Sequence, residues 1–235
     1  MVSREEAIMR ALLFLAVLLG CSEWYGTANA GAVRISQIYP RGGDQADLNS
    51  PYRTDYVELL NSSGAPVDVG GWLLAYGGSN YSSLFGCGTC TATIPVNTVI
   101  APCHYLLIQV GTASEAYGAT LPTPDVVLSI PNLGFTGSLG LLTGGIPTGT
   151  CLSGPTVEDL VGWEASCYQG AYATRPGSSE ALFRLADGMK TTGSNQADFA
   201  VAPASPRNSG TKPSLLCLQT PTQETTWGLL KAFYR

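Results

Sequence analysis

The feature that most constrains this chain is the stretch over residues 54–72, TDYVELLNSSGAPVDVGGW. Tyr56, Glu58 and Leu60 alternate with Val57 and Leu59, the period-two pattern of a strand packed on at least one face. Asn61-Ser62-Ser63-Gly64 then interrupts it with residues that favour turns. Pro66 has no amide hydrogen to give to a ladder, which keeps the connection outside any sheet. Gly70-Gly71-Trp72 opens the next strand with a bend and a large apolar anchor. The stretch predicts a β-hairpin.

The rest of the chain repeats this grammar. Among 235 residues there are 28 Gly and 15 Pro, and only 12% are charged. Long amphipathic helices need many charged helix formers, so this composition favours short strands and many turns. Period-two or short apolar runs predict strands at residues 33–39, 56–61, 72–76, 94–100, 104–110, 126–130, 139–143, 157–163 and 181–185. HYLLIQV at residues 104–110 is almost wholly apolar, which predicts cover on both faces. About nine short strands punctuated by turns indicate an all-β antiparallel β-sandwich. The net charge is −5. Phosphate recognition needs clustered Lys and Arg, and the 12 basic residues are scattered, so nucleic acid is not an expected partner.

The N-terminus carries an address. Residues 11–20, ALLFLAVLLG, form an apolar run of signal-peptide length, too short to span a bilayer. Met9 gives a more ordinary start than Met1, because Glu5 and Glu6 offset Arg4. Two processing routes stay open. Ala28-Asn29-Ala30 is a cleavage site before Gly31, making 1–30 the signal. Leu18-Leu19-Gly20-Cys21 resembles a bacterial lipobox, which would make 1–20 the signal and Cys21 an acylated N-terminus, the one route by which a membrane becomes a partner. Both imply export, as a secreted protein or a cell-envelope lipoprotein. Either route removes Cys21 from disulfide chemistry. Cys87, Cys90, Cys103, Cys151, Cys167 and Cys217 remain, an even number that in an exported chain reads as up to three disulfides. Cys151 and Cys167 are the expected pair, closing a short step across the strand at 157–163 and stabilising by about 3 kcal/mol. The other four have three pairings. A redox or Zn²⁺ role for Cys87-x-x-Cys90, with Cys103 and His104, is disfavoured: no helix follows to lower a thiol pKa, and adjacent strand residues point apart.

Several of these segments, taken in order, resemble the lamin-tail domain family. They are the strand at Val33–Tyr39, D-Y-V-E-L-L-N at Asp55–Asn61 and P-V-D-V-G-G-W at residues 66–72. YLLIQ at 105–109, L-P-T-P-D-V at 121–126 and V-E-D-L-V-G-W at Val157–Trp163 follow. S-S-E-A-L-F-R-L at 178–185, N-Q-A-D-F at 195–199 and P-A-S-P-R-N-S at 203–209 complete the set. The resemblance spans residues 32–209 and is strongest to exported bacterial members. It implies an immunoglobulin-like β-sandwich over residues 31–210 that serves interaction rather than catalysis, with a C-terminal tail over 211–235. It transfers no catalytic residue.

Candidate sites follow from residue chemistry. Asp44, Asp47, Asp55 and Glu58 offer oxygen ligands suited to Ca²⁺, although Asp and Asn at strand ends more often satisfy the backbone. Glu158 and Asp159, adjacent on a strand, are expected to face opposite sides and so cannot flank one bond. His104, the single histidine, reads as a strand-end residue. Trp72 and Trp163 read as core. Tyr76, Tyr81, Tyr168 and Tyr172 lie in or beside loops and are candidates for an exposed carbohydrate- or peptide-binding surface. The expected function is an exported binding module for a protein or an extracellular polymer, without a cofactor. The alternatives are a small secreted hydrolase or Ca²⁺-dependent enzyme, and an adaptor for extracellular DNA.

Overall fold

A computed structural model describes residues 31–44, 49–78, 85, 89–111 and 117–218. Cys21, Asp47, Tyr81 and Cys87, with the signal and the tail beyond 218, lie outside the described residues. The strands are β1 Val33–Tyr39, β2 Asp55–Asn61, β3 Val67–Asp68, β4 Leu73–Gly78, β5 Thr91–Thr93, β6 Val99–Ile100, β7 Tyr105–Val110, β8 Val126–Val127, β9 Gly137–Leu142, β10 Val157–Trp163, β11 Glu180–Arg184 and β12 Phe199–Pro203. Among the described residues there are also two single-turn helices, α1 Asn195–Asp198 and α2 Leu215–Leu218. A six-stranded sheet runs β12-β11-β1-β2-β7-β8 and a four-stranded sheet runs β10-β9-β4-β5. Among these strands every ladder is antiparallel except that of β7 with β8. The fold is an all-β, immunoglobulin-like sandwich, as the sequence predicts.

The expected hairpin over residues 54–72 does not form. β2 pairs with β1 and β7, whereas β4 pairs with β5 and β9 in the other sheet. Val57 and Leu59 of β2 face Leu74 and Tyr76 of β4 across the main core. Burying two apolar faces against each other removes more surface from water than laying the strands side by side. The polar turn is therefore a crossover between sheets. The buried Asn61 pins it, its Nδ2 donating to the carbonyls of Ala65, Ile100 and Ala101 at 2.7, 3.0 and 3.2 Å. Pro66 does not keep the segment out of every ladder, since the next residues form β3 and pair with β6. The single strand expected over 94–100 is replaced by β5, a turn and β6, because Asn97 takes a left-handed conformation at φ 62°.

Two other patterns are decided by bulges. Strict alternation in V-R-I-S-Q-I-Y would put Ile35 and Ile38 on opposite faces. A register shift between Ile35 and Gln37 sends both into the core and turns Ser36 and Gln37 to the other face. That other face is covered too. Tyr39, Tyr56, Leu107 and Ala181 form a second apolar layer there, with Tyr52, Leu121 and Ala204 packed on it. This explains why all of β2 is buried and why residues 104–110 read as apolar throughout. Outside the four-stranded sheet, Ala75, Leu142 and Leu160 pack with Leu152 and Cys167.

The domain does not end at residue 210. The Ser214 amide donates to the Cys103 carbonyl at 2.8 Å, and Cys217 is disulfide-bonded to Cys103 across 114 residues.

Candidate functional site

Asp55 and Glu58 share a strand and serve different ends of the fold. Glu58 points to the outer face of the six-stranded sheet and has no exposed surface. Its Oε1 accepts the Ser36 hydroxyl at 2.5 Å and Arg207 Nη2 at 2.7 Å, and its Oε2 accepts the Arg207 backbone amide at 2.8 Å. The Arg207 guanidinium stacks 3.8 Å over the Tyr105 ring and donates onward to Asp187 Oδ1 at 2.6 Å. Burial opposes the charge on Arg207, but the hydrogen bonds and charge of Glu58 outweigh it and raise its pKa. A dehydrated carboxylate is tolerable only with this degree of pairing. Glu58 fastens the C-terminal segment to the sheet.

Glu158 and Asp159 also meet one partner, which corrects the expectation that they face apart. A register shift between Val157 and Asp159 lets both reach β1. Glu158 Oε1 accepts the Val33 amide at 3.0 Å, and Asp159 Oδ2 accepts the Ile35 amide at 2.8 Å. β11 pairs with β1 only at Gln37 and Ile38, so the first half of that edge needs side-chain partners. Arg184 completes the join, donating from Nη2 to Asp159 at 2.6 Å and from Nε to the Ile35 carbonyl at 2.9 Å. Asp198 stands 4.0 Å from the same guanidinium.

Asp55 lines a cleft of about 200 Å³ at one end of the sandwich with Arg41, Asp44, Asn132 and Phe135. Its two oxygens accept the Gly42 amide at 2.6 Å and the Leu133 amide at 2.5 Å. Burial pushes its carboxyl up to about 7, against the pull of those two donors. Asp44 is ion-paired to Arg41, which lies 3.5 Å over the Phe135 ring. Of the four predicted oxygen ligands, the structure brings Asp44 and Asp55 to this cleft and sends Glu58 elsewhere. Among the described residues no cluster of three or more His, Cys, Asp or Glu could hold a metal ion.

The tyrosine candidates divide. Tyr76 is not on the surface: it is a core residue stacked on the buried Trp163 at 6.3 Å, and its hydroxyl accepts the Gly134 amide at 2.7 Å. Its position on β4, at alternate spacing from Leu74, puts it inside. Tyr168 and Tyr172 are exposed, 38% and 48%, and their rings meet edge to face at 5.6 Å. The loop carrying them is fastened at many points. The Cys151–Cys167 disulfide precedes Tyr168, and the Ser138 hydroxyl donates to the Cys167 carbonyl at 2.6 Å. The fully buried Asn195 accepts from the Gly162 and Gln169 amides and donates to the Leu160 carbonyl. A Cβ at Gly162 would come within 2.2 Å of the Cys167 carbonyl oxygen, so the close approach of loop to strand requires glycine. Cys90 is also disulfide-bonded, and His104 sits at the start of β7 with Nδ1 2.9 Å from the Pro102 carbonyl.

Arg184, Arg207 and Asn195 were not among the candidates drawn from residue chemistry. The signal for them was nonetheless present, because each falls in one of the ordered motifs: E-A-L-F-R-L, P-A-S-P-R-N-S and N-Q-A-D-F.

Comparison with known proteins agrees. Residues 26–138 match the family model of the Lamin Tail Domain. No curated protein matches the chain. Among solved structures it is similar to a DUF4876 family protein from Bacteroides thetaiotaomicron VPI-5482, with 14% identity and a TM-score of 0.50 over 80% of this chain and 76% of that one. That likeness is one of fold. The matched segment ends inside β9, and β10, β11 and β12 complete the same two sheets with the remaining motifs. Over residues 26–138 the chain is thus similar to the lamin tail domain family.

Proposed function

We propose that this protein is an exported, non-catalytic interaction module, a rigid sandwich that presents surface rather than chemistry. One observation carries the reading: among the described residues, three of the four buried carboxylates are committed to joining the fold, and the fourth, Asp55, is held by the Gly42 and Leu133 amides at the cleft. Glu58, Asp159 and Asp198 are dehydrated and held by arginines or backbone amides. A general acid or base must reach a substrate proton, and these side chains reach β1, the C-terminal segment and the residue 192 turn instead. The disulfides support an oxidising compartment, reached through acylation of Cys21 or cleavage after Ala30. Among the described residues no helix is long and apolar enough to cross a membrane. The partner is a protein or an extracellular polymer. The net charge of −5 gives little basis for phosphate binding, so the DNA-adaptor reading is the weakest.

The test combines fractionation with an activity panel. Intact producing cells are treated with a membrane-impermeant thiol reagent before and after reduction, and the purified protein is assayed on ester, glycan and nucleic-acid substrates with and without millimolar Ca²⁺. The expected result is cysteines that label only after reduction, and no turnover. Turnover lost in Asp55→Asn, or a rise of several degrees in melting temperature with Ca²⁺ that Asp44→Asn abolishes, would place the protein among secreted or metal-dependent enzymes.

A further inference from the structure

We propose that the Tyr168–Tyr172 loop is a binding platform for a neutral polysaccharide. The proposal rests on the interaction-module reading and names the ligand of that module. Tyrosine combines an apolar ring with a polar tip and loses little side-chain entropy when it is fixed. Tyr168 and Tyr172 together form a corner, the edge of one ring meeting the face of the other at 77°, with both rings partly open to solvent.

Three observations select the ligand class. The first is rigidity. The Cys151–Cys167 disulfide, the Asn195 side chain, the Glu164–Ala173 and Ala173–Gly162 backbone bonds, and the Gln196 amide on the Ala171 carbonyl all fix this loop. The ordering cost of binding is thus met by folding, which suits a ligand that offers few contacts. The second is scale. Along the loop the other exposed residues are Glu164, Gly170, Thr174 and Arg175, none with a large apolar side chain, while Ala165, Cys167 and Ala173 are buried. A protein interface needs roughly 800 Å² on each side with an apolar centre; two rings in a polar surround match one or two sugar rings. The third is charge. The one cation of the loop, Arg175, is paired with Glu164 at 3.5 Å, both side chains in solvent. No cationic cluster invites an anionic polymer, whereas an exposed carboxylate–guanidinium pair offers acceptors and donors to sugar hydroxyls. The C–H face of a pyranose fits the ring face, and its hydroxyls reach Glu164, Arg175 and the tyrosine tips.

Affinity electrophoresis of the purified protein in gels containing a soluble β-glucan, an α-glucan, a mannan or an anionic polysaccharide tests this. The variants are Tyr168→Ala, Tyr172→Ala, Tyr172→Phe and, far from the loop, Val127→Ser. At least one neutral polysaccharide is expected to retard the wild type and Val127→Ser equally. Either alanine variant loses tenfold or more in affinity, and Tyr172→Phe keeps most of it because stacking survives loss of the hydroxyl. Circular dichroism and the melting temperature establish that each variant is folded. The proposal is overturned by no retardation in any neutral gel, by retardation in the anionic gel alone, or by retardation that the alanine variants retain. If a purified protein partner is cross-linked through Tyr172 while the neutral gels give nothing, the module reading stands and the polysaccharide falls. Turnover of a polysaccharide in the gel would remove the module reading as well.

Discussion

The outer face of the six-stranded sheet and the Tyr168–Tyr172 loop are both fastened to the core, but they spend their polar chemistry in opposite ways. On the sheet face, Glu58, Arg207, Asp187, Ser36 and Gln37 satisfy one another, and no oxygen of Glu58 meets solvent. In the loop, the backbone is bonded by the buried Asn195 and neighbouring backbone groups and fastened by the disulfide, and the side chains of Tyr168, Tyr172, Glu164 and Arg175 are left outward. The polar residues of the first region hold the fold together. Those of the second are held by the fold and remain available to a ligand. A residue's chemistry alone does not distinguish the two cases; burial does.

Breaking the first region should cost the most stability. Arg207→Ala leaves the Glu58 carboxylate buried without its cation, and removing one member of such a pair typically costs about 3–5 kcal/mol. Urea unfolding is expected to show that loss, whereas the double replacement Glu58→Leu with Arg207→Met should recover most of it. A double variant no more stable than the single would mean that the pair is not the fastener. Neither change should alter polysaccharide retention.

Asp55 sharpens the comparison through pH. Its carboxyl, raised to about 7 in the folded state, binds its proton more tightly there than in the unfolded chain. Its contribution to stability is therefore complete below the unfolded value near 4 and is lost as pH rises through about 7. Each unit is worth about 1.4 kcal/mol. The melting temperature of wild type relative to Asp55→Asn should thus fall steadily from pH 4 to pH 7.5. A constant difference across that range would refute it.

Removing the Cys151–Cys167 bridge, which closes 16 residues, should cost about 3 kcal/mol. Unlike Arg207→Ala, the double serine variant should also weaken ligand retention, since it loosens the base of the Tyr168 loop. The smallest effect is expected at the tip: Tyr172→Ala should change stability by no more than about 0.5 kcal/mol, as seen in thermal melts, while removing retention. A larger loss of stability would place Tyr172 with the structural residues.

The ordered motifs that resemble the lamin-tail domain were legible in the sequence, and the structure gives them a physical meaning. Glu58, Asp159, Arg184, Asn195, Asp198 and Arg207 each sit in one of those motifs, and together they join the sheets and the C-terminal segment. A buried polar network tolerates few substitutions, because a half-satisfied one is worse than none. Periodicity could not have found it: Glu58 occupies an ordinary alternate position, and Arg207 lies in a segment without regular structure. Tyr76 shows the opposite failure, since adjacency to a glycine-rich loop suggested exposure while its place on β4 put it in the core.

By itself the sequence determined the all-β class, most of the strands and the pairing of Cys151 with Cys167. These are local properties: a two-residue period, turn residues, and a loop short enough to close. Only the tertiary structure decided that residues 54–72 cross between sheets, that Cys103 meets Cys217, and that Tyr168 and Tyr172 form one exposed corner. Period two assigns a residue to a face but names no partner strand, and the cost of closing a loop grows only with the logarithm of its length. Separation along the chain therefore selects distant partners weakly, and the shared core selects them instead.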